Sequence, residues 1–230
     1  MAHAIIANYN QNPNIGLFCY ANDNYCLVPN HFSEKLKKEF SEALKVPIYE
    51  INAAGTPLLG VFLNGNNDIL FVPEIMFDSE LKELERLKIR YKVLKTELTA
   101  LGNNLLIVGN KIIANPDFKD SILKDIEKEF NFKIKKGKIS ELNIIGSLAK
   151  GNKKGILVST EIKDFELNFL NDFLNEKQKN DGKILLTKGT LNFGSCYVSS
   201  AFICNSNGFI VGDTSTGIEI QNLDESLGFI

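Results

Sequence analysis

The chain has 230 residues, of which 44% are hydrophobic, and its formal net charge is −2 at pH 7. This length allows one domain with a sizeable core. The near-neutral charge argues against a protein whose affinity comes mainly from neutralising phosphates. No apolar run approaches the roughly 18 residues of a membrane span, and the N-terminus lacks the basic start and apolar core of a signal peptide. We therefore expect a cytoplasmic protein without a membrane partner.

Glycine recurs at a nearly constant interval along the chain. Gly16, Gly60, Gly102, Gly146 and Gly194 follow one another after 44, 42, 44 and 48 residues. A period of this length is typical of structural repeats that stack on one another. We predict a single domain, residues 1–230, of five repeats at about 12–55, 56–99, 100–143, 144–191 and 192–230, the last joined by a strand at 3–9.

Each repeat shows the same order of elements: an apolar stretch, a polar turn, a second apolar stretch, an amphipathic helix and a further strand. The Asn- and Gly-rich turns, at 22–24, 64–67, 109–110, 151–154 and 205–208, predict five hairpins. The stretches after the turns are continuously apolar, as in strands buried on both faces. Helices are predicted at 31–45, 78–88, 117–130, 162–175 and 218–227, and the later strands at 48–51, 89–98, 132–142 and 184–191.

The fifth repeat has no strand after its helix, whereas the apolar strand at 3–9 belongs to no other repeat. Pairing this N-terminal strand into the last repeat would remove two sheet edges. We therefore predict an α/β (α+β) fold that closes as a five-fold pseudosymmetric ring of ββαβ-like repeats, with monomer as the default state. A five-bladed β-propeller is the alternative, but its blades have four strands and no obligatory helix.

Catalytic and metal-binding patterns are scarce in this sequence. Such rings resemble the pentein fold, whose enzymes modify guanidino groups with a cysteine nucleophile and a histidine base. His3 lies in the closing strand and His31 at the start of the first helix, and neither lies in a later repeat, where a central catalytic histidine would be expected, so a thiolate would lack its base. We expect no enzyme activity, no cofactor, no metal and no small-molecule substrate. The four cysteines suit small core positions, with cross-strand disulfides as an alternative in a hyperthermophile: Cys19, Cys26, Cys196 and Cys204.

Two polar segments have competing interpretations. Asp213-Thr214-Ser215-Thr216-Gly217 suits a turn that caps the last helix, or an anion or metal site. Local basic clusters suit the protection of an exposed strand edge, or contacts with RNA. These clusters consist of Lys133, Lys135, Lys136 and Lys138, and of Lys150, Lys153 and Lys154.

The recurring glycines indicate the candidate binding surface. If each has the same place in its repeat, five loops gather on one face around the pseudo-five-fold axis. Apolar neighbours such as Ile15, Leu59, Leu101 and Phe193 would make this face a partner-binding patch wherever they are exposed. The candidate residues are Asn14, Gly16, Gly60, Leu101, Gly102, Asn103, Gly146, Ser147, Asn192, Phe193 and Gly194.

Many segments in the same order make the whole chain similar to one known family. They include Asn14-Ile15-Gly16, Glu97 to Asn103, Asn115-Pro116-Asp117 and Gly189-Thr190-Leu191-Asn192. In these segments the chain resembles the archaeal translation initiation factor 6 family, whose members are ribosome anti-association factors of the pentein fold. At Val61, Leu148 and Phe193 it differs from eukaryotic members, and it ends at Ile230 without their regulatory tail.

The resemblance implies a protein that binds the large (50S) ribosomal subunit on its intersubunit face. There it would contact a ribosomal protein near the sarcin–ricin loop, with minor contact to rRNA, and block joining of the small subunit. It implies roles in translation initiation and in large-subunit biogenesis, and places the glycine-bearing segments in the binding face. A pentein-type guanidine-modifying enzyme and a general protein-interaction ring are the alternatives.

Overall fold

A computed structural model describes residues 3–176 and 182–230 of the chain. These residues form five three-stranded sheets and ten helices. The strands are β1 (Ala4–Ala7), β2 (Tyr20–Ala21), β3 (Cys26–Val28), β4 (Ile48–Glu50), β5 (Asn64–Gly65), β6 (Leu70–Pro73), β7 (Tyr91–Leu94), β8 (Leu105–Val108), β9 (Lys111–Ala114), β10 (Lys133–Lys136), β11 (Ala149–Gly151), β12 (Gly155–Ser159), β13 (Leu185–Gly189), β14 (Phe202–Cys204) and β15 (Phe209–Gly212). The helices are α1 (Ile15–Phe18), α2 (Glu34–Leu44), α3 (Leu59–Phe62), α4 (Asp78–Arg86), α5 (Leu101–Asn104), α6 (Asp120–Phe130), α7 (Ile145–Leu148), α8 (Asp164–Leu174), α9 (Val198–Ala201) and α10 (Gly217–Ser226).

Every sheet has the same topology, so the predicted α/β repeats are confirmed. Two strands form an antiparallel hairpin, and the strand after the helix returns parallel to the second of them, as in β8, β9 and β10. In the last sheet the parallel strand is β1, whose residues Ala4 to Ala7 pair with Phe209 to Gly212. The predicted pairing of the N-terminal strand with the last repeat is therefore confirmed.

The first repeat also packs its apolar helix against the last one. Phe40 and Leu44 of α2 are fully buried in one cluster with Val28 of their own repeat and with Ile203 and Ile210 of the last. Burying a side chain of this size stabilises a protein by about 1.5–3 kcal/mol. Both the strand pairing and the core therefore join the two ends of the chain.

Most predicted helices begin two or three residues late and end within two residues of the prediction. The prediction of 31–45 was wrong at its start because His31 has a left-handed backbone, with φ at 63°, and because Ser33 is the N-cap. Its side chain accepts a hydrogen bond from Leu36 N. Lys45, with φ at 56°, ends the helix.

The hairpin turns are tied to one another by asparagine side chains. Asn22 Nδ2 donates to Asn66 O at 3.0 Å, and Asn66 Nδ2 donates to Gly109 O at 2.9 Å. Asn152 Nδ2 donates to Asn205 O at 3.2 Å, and Asn205 Nδ2 donates back to Asn22 O at 3.1 Å. Each asparagine Oδ1 also accepts the N–H groups of its own turn, so one residue closes a hairpin and holds the next.

We expect Asn205→Ala to lower the free energy of unfolding by about 2–4 kcal/mol, because it leaves buried backbone groups without partners. Asn205 is 3% exposed, accepts from Asn207 N and Gly208 N, and donates to Leu44 O at 2.7 Å. Urea unfolding followed by circular dichroism measures the change. The exposed Asn24→Ala is the matched control and should cost less than about 1 kcal/mol; equal losses in both variants would contradict this role for Asn205.

Candidate functional site

The five short helices α1, α3, α5, α7 and α9 lie at the centre of the fold, where the sequence predicted loops. Each contacts the next in this order, and α9 also contacts α1. A Cβ on Gly60 would overlap Gly16 O, one on Gly102 would overlap Gly60 O, and one on Gly146 would overlap Gly102 O. Glycine is therefore required here for the close approach of one backbone to the next, and not for a positive φ.

The prediction that Gly194 is the fifth equivalent glycine was wrong. The residue that matches Gly16 in α9 is Ser199, and a Cβ on Gly16 would overlap Ser199 O. Gly194 lies instead in the turn before this helix, with φ at 93° and open space around it. The pair of a buried aliphatic residue and a small residue, as in Ile15-Gly16 and Val198-Ser199, identifies the repeat better than glycine alone.

The apolar residues that precede the central glycines are buried, not exposed. Ile15, Leu59 and Leu101 are each 0% exposed, so Leu101 is not available to a partner. Gly16, Gly102 and Gly146 are buried as well, whereas Gly60 is partly exposed. The solvent-facing positions are the residue before each helix and the third residue within it. We call these ten residues the helix face: Asn14, Leu17, Leu58, Val61, Ala100, Asn103, Ile144, Ser147, Tyr197 and Ser200.

The helix face contains no charged side chain. Three of the predicted site residues, Asn14, Asn103 and Ser147, belong to it and are partly exposed. Asn14 is fixed at the junction of the first and last repeats, because its Oδ1 accepts from Ser200 Oγ at 3.1 Å and from Asn192 Nδ2 at 3.2 Å. The structure therefore brings Asn14 and Asn192 together across the two ends of the chain. Such an uncharged, partly apolar surface has the chemistry of a protein interface and not of a phosphate-binding one.

Phe193 is the most exposed aromatic residue beside the helix face. It is 82% exposed and lies in the turn of Asn192, Phe193 and Gly194, where all three residues have a positive φ. A bulky residue in this conformation is a backbone outlier that the surrounding contacts must hold. The contacts are hydrogen bonds from Phe193 N and Gly194 N to the Glu219 carboxylate, at 3.2 and 2.8 Å.

A glutamate in the same role as Glu219 occurs in two other repeats, where it also accepts backbone N–H groups of a turn. Glu80 accepts from Ala54 N and Gly55 N, and Glu166 accepts from Ser140 N, in the turns that precede α3 and α7. Burial raises the pKa of Glu219, but hydrogen bonds from Thr216 N, Gly194 N and Thr190 Oγ1 lower it by more than burial raises it. The net pKa therefore lies below its ordinary value. The ionised carboxylate therefore holds the turn that presents Phe193.

We expect the pH dependence of stability to reveal this carboxylate. A pKa that is depressed in the folded state gives stabilisation that is present above the unfolded pKa, about 4.3, and is lost as the pH falls through the folded pKa. Urea unfolding between pH 3 and pH 7 should show a shallower acid loss for Glu219→Gln than for wild type. Glu225→Gln, which changes an exposed carboxylate of the same helix, should follow wild type; a Glu219→Gln curve parallel to wild type would refute the assignment.

Three of the four cysteines and His3 are engaged in packing or hydrogen bonding within the fold. Cys19, Cys26 and Cys204 are buried free thiols, as the core interpretation predicted, while Cys196 is partly exposed. Burial raises the pKa of the Cys19 and Cys26 thiols well above the usual range and that of Cys204 to about 12. His3 Nε2 bonds the Asp224 carboxylate at 2.8 Å and its ring stacks on Phe229.

The two ambiguous polar segments are resolved by their contacts. Thr216 is the N-cap of α10 and accepts from Glu219 N, so the capping interpretation is confirmed. Lys133, Lys135 and Lys136 are exposed on β10, which is an edge strand, as expected for edge protection. Grouping Lys150 with the surface lysines was wrong, because its Nζ donates to Ser199 O and Phe202 O inside the fold.

The described residues contain neither a metal-binding cluster nor a membrane-spanning helix. Between residues 3 and 176 and between 182 and 230, no group of three or more His, Cys, Asp or Glu side chains is placed to hold a metal ion. In the same ranges no helix has the length and apolarity needed to cross a membrane.

The fold and the site define a five-repeat α/β protein that presents an uncharged, glycine-packed surface at its centre. The sequence profile of the eIF-6 family matches residues 4–226, and the chain belongs to this family. Translation initiation factor 6 of Picrophilus torridus is 32% identical and covers 93% of this chain and 94% of its own. The factor of the same name from Staphylothermus marinus is 33% identical and covers 94% of this chain and 93% of its own.

Among solved structures, DDAH from Pseudomonas aeruginosa complexed with citrulline is similar with a TM-score of 0.47 and 11% sequence identity. The match covers 93% of this chain and 73% of that one.

Proposed function

We propose that this protein binds the large ribosomal subunit on its intersubunit face and thereby prevents the small subunit from joining. The observation that carries the proposal is the helix face: it is uncharged, rigidly packed through Gly16, Gly60, Gly102 and Gly146, and bordered by exposed Phe193. Membership of the eIF-6 family, and relatives named as translation initiation factors, support a ribosomal partner.

The proposed mechanism requires binding alone and involves no catalytic step. A protein bound across the joining surface withdraws free large subunits from the association equilibrium by mass action. Because the net charge is −2 and the helix face lacks Lys and Arg, the principal contact of this face is a ribosomal protein, and its contact with rRNA is minor. The resemblance to the family implies that this ribosomal protein lies near the sarcin–ricin loop. The same binding suits roles in initiation and in large-subunit biogenesis.

The protein acts as a binding factor and not as an enzyme. The raised pKa values of Cys19, Cys26 and Cys204 oppose thiolate formation, and His3 is held by Asp224 and Phe229. It accordingly takes no cofactor, metal or small-molecule substrate. Residues 1–230 form one domain that closes as a ring and functions as a cytoplasmic monomer.

Two substitutions test the proposed surface. We expect Phe193→Glu and Asn103→Asp each to weaken large-subunit binding, Phe193→Glu by about tenfold or more, because each introduces a charge that a protein interface must desolvate. Binding is measured by co-sedimentation with purified large subunits over a range of factor concentrations. Far-ultraviolet circular dichroism establishes that both variants remain folded, since both side chains are at least partly exposed.

Lys153→Glu provides the matched control. Lys153 is exposed near the hairpin turns, at the other end of the strands that leave the central helices, and lines an open basin of about 1160 Å³ there. Its charge reversal should leave binding unchanged. If Lys153→Glu weakened binding while Phe193→Glu and Asn103→Asp did not, the binding surface would lie at the hairpin end instead.

A further inference from the structure

The two most exposed large hydrophobic side chains among the described residues belong to neighbouring segments of the fifth repeat. Ile218 is 83% exposed and Phe193 is 82% exposed. Ile218 lies in the first turn of α10, and the next residue, Glu219, accepts hydrogen bonds from Phe193 N and Gly194 N. The start of this helix therefore adjoins the turn that contains Phe193. We call Phe193 and Ile218 the apolar pair.

Phe193 occupies a backbone position that an aromatic residue rarely takes. Corresponding turns precede α1, α3 and α7, and in each a backbone bridge joins the two residues that flank the turn. The second residue with a positive φ in those three turns is Gln11, Gly55 or Glu141, whereas in the fifth repeat it is Phe193, with φ at 63°. Glycine takes this conformation freely, but a bulky residue is strained in it. Because the side chain is exposed, its burial does not offset the strain, and such an outlier indicates a function.

The apolar pair borders the helix face. Asn192, the residue before Phe193, donates from its Nδ2 to Asn14 Oδ1 of the helix face at 3.2 Å. Tyr197 of the helix face follows Phe193 by four residues and is 44% exposed. The apolar pair therefore extends the helix face outward over the fifth repeat.

The fifth repeat has no basic residue. Between residues 189 and 230 the charged residues are all acidic: Asp213, Glu219, Asp224 and Glu225. Asp213 is exposed, and two residues further on Ser215 Oγ accepts from Asn192 N at 2.9 Å, beside the apolar pair. Such a surface repels phosphate groups, whereas a protein surface that carries Lys or Arg around an apolar pocket complements it.

We propose that the apolar pair inserts into an apolar pocket, bordered by Lys or Arg, on a protein component of the large ribosomal subunit. This inference rests on the proposed function and specifies that the fifth repeat makes the protein contact. An aromatic side chain that fills a desolvated pocket is a common source of binding energy in protein interfaces. Basic residues around the pocket face the exposed carboxylate of Asp213.

Two variants of the apolar pair test this contact by co-sedimentation with purified large subunits over a range of factor concentrations. Phe193→Asn should weaken binding by about tenfold or more, because it removes the aromatic anchor. Ile218→Ser should weaken it by about threefold or more. Leu185→Ser is the matched control, because Leu185 is 50% exposed but pairs with Gly155 at the hairpin end, and it should bind as wild type does. An equal loss in all three variants would overturn the proposal.

Phe193→Leu separates insertion into a protein pocket from stacking on a base of the rRNA. Leucine keeps an apolar side chain but has no ring that a base can stack on. We therefore expect Phe193→Leu to bind within about threefold of wild type. A loss as large as that of Phe193→Asn would show that Phe193 stacks on a base, and would overturn the proposal.

Thermal unfolding provides the second readout. Phe193→Asn should unfold at or above the wild-type midpoint, because asparagine tolerates a positive φ and the exposed ring contributes little packing. A lower midpoint would show that the ring supports the fold and would contradict its role as an anchor. If wild type binds large subunits and both Phe193→Asn and Ile218→Ser bind equally well, this inference alone fails. If wild type does not bind them, the proposed function fails and this inference fails with it.

Discussion

Gly102→Ala will destabilise the protein by at least about 3 kcal/mol, beyond the usual range for overpacking a core. The added Cβ would lie 1.9 Å from Gly60 O, well inside the 3.0 Å that real Cβ atoms keep from their neighbours, and 3.1 Å from Val61 O. Both obstructing atoms belong to the backbone of α3, so no side-chain rotation relieves the overlap. Relief requires that α5 move away from α3, which disturbs the packing of all five central helices.

The matched control for this substitution is Gly217→Ala. Gly217 is the first residue of α10, and nothing lies within 4 Å of the Cβ it would gain. Alanine favours helix over glycine by about 1 kcal/mol in a helix interior, so this variant should be as stable as wild type or slightly more stable. Thermal and urea unfolding compare the two. A Gly102→Ala protein with wild-type stability would show that the central helices tolerate separation.

Ile5→Pro will cost about 3–5 kcal/mol because it breaks the pairing that joins the two ends of the chain. Phe209 N donates to His3 O at 2.8 Å and Asp213 N donates to Ala7 O at 3.2 Å. In a parallel pair of strands, every second residue directs its N–H and C=O groups toward the same partner strand. Because His3 and Ala7 do so here, the N–H of Ile5, which lies between them, also points toward β15. Proline removes that donor and leaves a buried acceptor unpaired, and the packing of Ile5 against the first core cluster is lost as well.

Ile6→Pro separates this pairing from a general effect of proline. Ile6 is 57% exposed, and β1 is the edge strand of its sheet, so the Ile6 N–H points away from β15. We expect a much smaller loss of stability, measured by the same urea unfolding. Equal and small losses in both variants would mean that β1 is dispensable, and that its pairing with the last repeat does not hold the fold together.

The repeat pattern made most of the fold predictable from sequence. Continuous apolar runs such as Phe209-Ile210-Val211, following polar turns, located the buried strands because burial on both faces leaves no polar position. The strand at 3–9 could be assigned to the fifth repeat because every other repeat has a strand after its helix and the fifth has none. Glycine spacing located the central helices in four repeats and failed in the fifth, where Ser199 replaces glycine and Gly194 happens to lie nearby in the sequence.

The candidate site was less predictable because burial depends on the neighbouring repeat. Leu101 and Asn103 lie in one short helix, yet only Asn103 is exposed, since α3 and α7 enclose the other side. Lys150 follows a surface-like sequence pattern but turns inward to carbonyl oxygens 49 and 52 residues further along the chain. Contacts between repeats of this kind leave no local trace in the sequence.

Sucrose-gradient co-sedimentation with purified archaeal 50S and 30S subunits, combined with a subunit-joining assay at raised magnesium, tests the central claim most directly. We predict that the protein sediments with 50S and not with 30S, and that its addition reduces 70S formation in proportion to the 50S bound. Absence from the 50S fractions at moderate salt, or undiminished 70S formation with 50S saturated, would contradict the proposed function.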